Sequence, residues 1–239
     1  MLLILVAAAV IPAVYLMVKI YRADSLEREP TNLLWALVIL GVAATALASF
    51  TEQLGDIILS FFVPDTSLSY YVLIYFVVVA LSEEGFKYLL MKKRTWNSPH
   101  FNCQFDGVVY AVFISLGFAL WENISYVLSY GFATAVARAL TAVPGHACFG
   151  VFMGTWYGSA KRYDLAGLPG ESKRARRLAL LIPMLLHGAY DFIAAMQEEA
   201  LSLVFIVFVA GMFIAALRTV KYQAKNDTYI DNNPVDFNP

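Results

Sequence analysis

The chain has 239 residues, of which 60% are hydrophobic and 15% charged, and its mean hydropathy is +0.64. An ordinary soluble domain is about 45–50% apolar and about 25% charged, so this composition excludes a disordered chain, a secreted disulfide scaffold and a typical soluble enzyme. The net charge of −1 argues against nucleic acid as a partner, and two cysteines do not make a disulfide framework.

Crossing the hydrocarbon core takes roughly 20 mostly apolar residues as a helix. Seven such segments are predicted, over 2–20, 32–50, 69–91, 107–131, 135–159, 178–197 and 200–217. The expected fold class is therefore all-α: a polytopic transmembrane helical bundle over 1–221, multi-pass in the cell membrane. Lipid leaves no water for an unpaired backbone group, which forces helices. Solid runs such as Tyr70–Leu81 do not alternate as barrel strands do. The first segment has no basic residue ahead of it and is followed by Lys19, Arg22 and Arg28, so it reads as an anchor and not as a cleavable signal. A helix start is expected at Asp106, as N-cap before Gly107. Residues 222–239, rich in Asn and Asp, are expected to form a disordered cytoplasmic tail.

Basic residues set the expected orientation. Lys19, Arg22 and Arg28, then Lys92, Lys93 and Arg94, then Lys161, Arg162, Lys173, Arg174, Arg176 and Arg177, then Arg218, Lys221 and Lys225 all fall on alternate connections. The other connections carry Glu52, Asp56, Asp65, Glu198 and Glu199. The N-terminus is thus expected outside and the C-terminus in the cytoplasm.

Only Lys87 and Arg138 remain, inside spans, with Glu83, Glu84, Glu122, His146, His187 and Asp191. Each ionisable group at membrane depth costs at least about 2.5–3.5 kcal/mol, so a set of this size is expected to share one polar cavity. At about 1.5 Å per residue, Glu83, Glu84, His146, His187 and Asp191 fall in one slab near mid-membrane. Arg138 lies about one turn from its span's outer end, close enough to snorkel or to offset one of the acids.

Lys87 is i+4 from Glu83 and i+3 from Glu84 and can reach either. Adjacent glutamates diverge by about 100°, so one can face a water while the other braces a neighbouring helix. Asn123, beside Glu122, offers donors and an acceptor that can polarise a carbonyl. Gly150, Gly154 and Gly158 follow Pro144-Gly145-His146 at the spacing of a close helix contact. His187 and Asp191 share a face at i, i+4. Several acids in a poorly solvated space cannot all ionise freely, which favours acid–base work near neutral pH. A glutamate–histidine pair can then activate water for hydrolysis of an amide or ester. No serine has a GxSxG or SxxK context, Cys148 cannot reach His146 along one helix, and no HExxH occurs. Two histidines and several acids still leave a divalent metal open. The competing readings are a metal-dependent membrane lipid amidase and a proton-coupled transporter or receptor without hydrolytic activity.

Glu83-Glu84-x-x-Lys87, Asp106-Gly107 leading to Gly117-Phe118-x-x-x-Glu122-Asn123, Arg138 with Pro144-Gly145-His146, and His187-Gly-x-x-Asp191 together resemble the PrsW family of intramembrane proteases, related to the CAAX prenyl protease and Abi superfamily. The resemblance covers about residues 75–195. It implies a glutamic-type endopeptidase with no cofactor, in which Glu83 and Glu84 are the base candidates, Glu122 or His146 the partner in activating water, and His187 an oxyanion donor. It also implies a membrane-embedded protein substrate, a single-span anti-sigma factor cut on its outer side during envelope stress. The CAAX enzymes usually carry asparagine where Asp191 stands. An ionised aspartate only accepts hydrogen bonds, so Asn123 takes the donor role or Asp191 is protonated.

Overall fold

The computed structural model describes residues 2–196 and 199–230. It contains helices α1 (Leu2–Ala23), α2 (Thr31–Phe62), α3 (Leu68–Leu73), α4 (Ala80–Thr95), α5 (Asp106–Tyr130), α6 (Phe132–Leu140), α7 (Ala142–Leu165), α8 (Pro169–Ala195) and α9 (Glu199–Lys225). Ile74–Val79 is a π turn joining α3 to α4 without a break, so 68–95 is one helical run. Among the described residues there is no strand, only an isolated bridge between Cys103 and Tyr229. Among the described residues six helices, α6 and α7 counting as one, are long and apolar enough to cross a membrane, against the seven expected. The expected third span corresponds to the 68–95 run, which carries the Glu83, Glu84 and Lys87 triplet and is not among those six.

Helix α5 is the axis of the bundle. A helix apolar all round belongs in an interior, and α5 is buried on every side from Asp106 to Ala119. Its neighbours approach it at backbone distance. A Cβ on Gly117 would lie 2.8 Å from Val38 Cα of α2, and one on Gly150 of α7 would lie 2.9 Å from Val112 Cα. Gly154 meets α5 itself and Gly158 the loop leading into it in the same way, against Gly107 and Gln104 respectively. The glycine spacing in α7 is therefore a close-packing seam. Gly131, at φ +85°, ends α5 in a conformation that suits glycine and turns the chain into α6.

Several boundaries differ from expectation. Helix α2 continues twelve residues past the expected end at residue 50, because nothing from Thr51 to Phe62 breaks a helix before Pro64. Glu52 and Asp56 therefore sit on a helix and not in a loop. Helix α8 begins at Pro169, a residue suited to a first turn, well before residue 178. The expected fifth span breaks at Thr141, three residues ahead of Pro144, whose ring cannot sit against a continuing helix. Asp106 does not cap its own helix; its Oδ2 accepts from the amides of Asn102 and Cys103, at 3.0 and 2.6 Å, and so ties down the preceding loop. The expected disordered tail is in fact placed as far as Ile230. Asp227 accepts from the Phe105 amide at 2.9 Å, and the Ile230 amide donates to Asn102 O at 2.6 Å. Residues 231–239 and Glu198 lie outside the described residues.

These contacts gather the α1–α2 connection, the α4–α5 loop and the segment after α9 at one end of the bundle, with Asn102 Nδ2 also donating to Glu27 at 3.0 Å. Acids are buried there outside the spans. Burial pushes Asp24 up to about 6, with the Asp227 charge adding to it. Burial likewise pushes Glu29 up to about 7, with the charges of Asp24 and Glu27 adding. Both folded values exceed the ordinary carboxylate range, so the folded state binds protons more tightly than the unfolded one. Stability from these two groups is fully present below about pH 4 and is lost as pH rises through 6 to 7. The thermal midpoint of the protein in detergent is expected to fall between pH 5 and pH 8. Asp24→Asn with Glu29→Gln is expected to flatten that slope.

Candidate active site

A cavity of about 320 Å³ lies among α2, the 68–95 run, α5, α6, α7 and α8. Its walls carry Glu52, Glu83, Glu122, Arg138, His146, His187 and Asp191, with Tyr75, Tyr126 and Tyr190 among the aromatic ones. Seven of the eight residues predicted for catalysis or support thus line it or back it directly: Glu83, Glu122, His146, His187 and Asp191 line it, and Glu84 and Lys87 stand immediately behind. A shallower hollow carrying Asp56, Asp65, Tyr70 and Tyr71 shares Glu52, Tyr75 and Val79 with the cavity.

The two glutamates diverge as helix geometry requires. Glu84 is fully buried, its Oε1 accepting from Lys87 Nζ at 2.8 Å and facing His187 Nδ1 at 2.9 Å. Glu83 turns toward the cavity, its Oε2 3.1 Å from Lys87 Nζ and 3.8 Å from His187 Nδ1. Gly188 makes this juxtaposition possible. A Cβ there would lie 2.6 Å from the Phe76 ring, so the π turn packs directly on α8 one residue from His187. Such a turn is common at functional sites.

Lys87 is fully buried and its ammonium is saturated. It reaches Glu83, Glu84 and, at 3.1 Å, His146 Nδ1, with the Phe118 ring centroid at 3.9 Å on its remaining side. An ammonium only donates, so His146 Nδ1 is an acceptor and the ring proton sits on Nε2. That N–H donates to Glu122 Oε2 at 2.9 Å. The His187 ring meets a carboxylate at each nitrogen, Glu84 on one side and Asp191 Oδ2 at 3.2 Å on the other. The Glu84–His187–Asp191 chain therefore holds two protons between its three members. Phe149 stacks on the His187 ring, with centroids 4.7 Å apart, and fixes its plane.

Arg138 does not snorkel. Its Nη2 lies 2.9 Å from Glu122 Oε2 and its Nε donates to Asn123 Oδ1 at 3.1 Å. Asn123 itself faces away from the cavity: it is fully buried, and its Nδ2 donates to Ala9 O of α1 at 2.8 Å. It holds α1 to α5 and orients Arg138, and it is not placed to polarise a substrate carbonyl. Glu52 was missed as a site residue. Thr45, Ser49 and Glu52 all line the cavity from α2, and their i, i+4, i+7 spacing after the apolar stretch from Leu33 to Ala44 is the signal that would have found it.

Membrane-spanning helices closed round a polar cavity, walled by carboxylates, imidazoles and a guanidinium, are the arrangement expected of a multi-pass membrane hydrolase. Residues 29–217 match the family described as PrsW family intramembrane metalloprotease. Protease PrsW of Oceanobacillus iheyensis is 34% identical over 227 residues, covering 95% of this chain and 99% of the relative. Protease PrsW of Geobacillus kaustophilus is 33% identical over 225 residues, 92% of each chain, and that of Bacillus subtilis 32% identical over 197 residues, 79% and 82%. No solved structure matches. The chain belongs to the PrsW family and is an intramembrane protease.

The family description implies a metal. Glu83, Glu84, His146 and His187 each offer a donor atom, all within 4.8 Å of one another. The donor types suit zinc. Each histidine also has its other nitrogen on a carboxylate, as metal-bound histidines do. Their shared centre, however, is filled by Lys87 Nζ, within 3.1 Å of three of the four. With that ammonium in place the four residues do not fit a divalent ion.

Proposed function

We propose that this chain is an endopeptidase of glutamic type that hydrolyses a peptide bond in a membrane-anchored protein, with Glu83 as general base. The observation that carries this reading is the division of labour in the glutamate pair. Glu83 presents a carboxylate to the cavity, whereas Glu84 is sealed behind it between Lys87 and His187. Glu83 takes a proton from a water in the cavity as the water oxygen bonds to the carbonyl carbon. It then returns that proton to the leaving nitrogen as the C–N bond breaks.

Positive charge is provided for the oxyanion by two groups on the cavity wall. Arg138 has five N–H donors and spends them only partly on Glu122 and Asn123. His187, between Glu84 and Asp191, stands beside the base. Glu122 and His146 act as partners that hold Arg138 and Lys87 in place. Asp191 acts as an acceptor that orients His187, and the donor role passes to Arg138 and not to Asn123.

The bundle end rich in Lys and Arg is assigned to the cytoplasm, with the N-terminus outside. The hollow bearing Asp56 and Asp65 then faces outward and leads a substrate to the cavity from that side. A single-span membrane protein, such as an anti-sigma factor, is the substrate class in keeping with this path.

The test is reconstitution of purified protein in vesicles with single-span peptides, with fragments identified by mass. Cleavage within or just outside the apolar segment is expected from the wild type and not from His187→Ala. Intact substrates throughout, with proton-coupled uptake in the same vesicles, would replace the protease reading by a transporter.

A further inference from the structure

We propose that Lys87 is this centre's own cation: its ammonium stands where a divalent ion would stand, keeps the protein free of bound metal, and masks a latent zinc site that opens when the side chain is removed. The argument begins with size. The three acceptors lie 2.8–3.1 Å from Nζ. That is the length of an N–H···O or N–H···N hydrogen bond. Zinc bonds to nitrogen and oxygen are about 2.0–2.2 Å. The cage is therefore wider than a zinc site by nearly 1 Å and fits an ammonium as it stands.

Valence gives the same answer. An ammonium has three N–H donors, and the site supplies three acceptors, Glu83, Glu84 and His146, closing the last direction with the Phe118 ring. A cation over an aromatic face at this distance is a stabilised arrangement, so the ammonium is matched on every side. The lysine is also covalently fixed one helical turn from both glutamates, so it competes with any free ion from inside the cage at no cost in translational entropy. Its stem comes from a fully buried position in α4, where Met91, one turn on, is fully buried as well.

What remains after truncation is a complete ligand set. Without Lys87, two carboxylates and two imidazoles face one space with no counter-charge at its centre. Their outer contacts, His146 to Glu122 and His187 to Asp191, are already those that orient metal-bound histidines. Contraction of under about 1 Å per donor brings them to zinc distance.

The experiment measures metal directly and does not depend on protease activity. Untagged wild type and Lys87→Ala are purified in detergent, stripped with chelator, and titrated with Co²⁺ and then Zn²⁺. Metal per chain is read by elemental analysis and Co²⁺ geometry by its visible absorption. The wild type is expected to stay at background. Lys87→Ala is expected to take up about one Co²⁺ per chain with the intense band of a four-coordinate site, displaced by Zn²⁺. Lys87→Ala with His187→Ala is expected to lose it. Lys87→Ser serves as a second opening of the cage, and recovery of either variant in folded form only when zinc is supplied supports the proposal. Stoichiometric metal in the stripped and reloaded wild type, lost in His187→Ala, overturns it. So does a folded Lys87→Ala that binds no more Co²⁺ than the wild type.

Discussion

Glu83→Gln is expected to lower kcat/KM for a membrane-anchored peptide by about 10²–10⁴-fold, the usual contribution of a general base, while leaving the thermal midpoint close to that of the wild type. The amide keeps the size of the side chain and can still accept from Lys87 Nζ, so the cage keeps three acceptors. What it loses is the ability to take a proton. Glu84→Gln is expected to fail differently. Glu84 is fully buried between an ammonium and an imidazole, and removing its charge takes from each its shortest carboxylate contact, leaving Lys87 with Glu83 and His187 with Asp191 in an apolar interior. Breaking a buried pair in this way costs about 3–5 kcal/mol, so this variant should show a lowered midpoint along with lost activity. Comparing turnover and thermal unfolding for the two variants separates the chemical glutamate from the structural one. Full turnover by Glu83→Gln would remove it from the base role.

Gly154→Val is expected to give a large loss of stability at a position outside the cavity. Its Cβ would lie 2.7 Å from the Gly107 carbonyl carbon and against Val108 Cα, so the clash is with backbone that no rotamer change relieves. Overpacking of ordinary side chains costs about 1–3 kcal/mol; here α7 must move off the central helix as a whole. The expected cost is at least about 3 kcal/mol, a fall in thermal midpoint of about 10 °C for a chain of this size. Gly211→Ala on α9 is the matched control. Nothing lies within 4 Å of a Cβ there, and alanine is the better helix former by about 0.5–1 kcal/mol, so that midpoint should hold or rise. Because His146 rides on α7, Gly154→Val should also lower activity by shifting His146 from Lys87.

The apolar runs made the helices legible, because a spanning segment has to be apolar along its whole length. Its ends were less legible. Thr51-Glu52-Gln53 reads as the edge of a span, yet these residues continue the helix to Phe62, since a polar residue does not stop a helix as a proline would. That acids and histidines of separate spans share one cavity was legible from depth and charge, because they could be tolerated only together; that Glu52 joins them and Asn123 does not was not legible. Nor were the pairings. That Asn123 turns to Ala9 and Arg138 turns inward to Glu122 depends on where α1 and α6 pack, and no local spacing records that. Asp106 looked like a cap because caps are local; its partners are the amides of a loop stapled by residues 227–230, far along the chain.

The burial of Glu83 inside the bundle bears on what can be cut. In an α-helix each backbone carbonyl is hydrogen-bonded to an amide four residues on and screened by the helix's own side chains, so a coiled anchor does not offer its carbonyl carbon to a water beside Glu83. It has to fray first, trading its internal backbone bonds for contacts with the wall. Cutting should therefore favour anchors whose glycines or prolines already weaken the coil near the scissile bond, and the rate of unwinding, more than the chemistry, is set to limit turnover on sturdier ones.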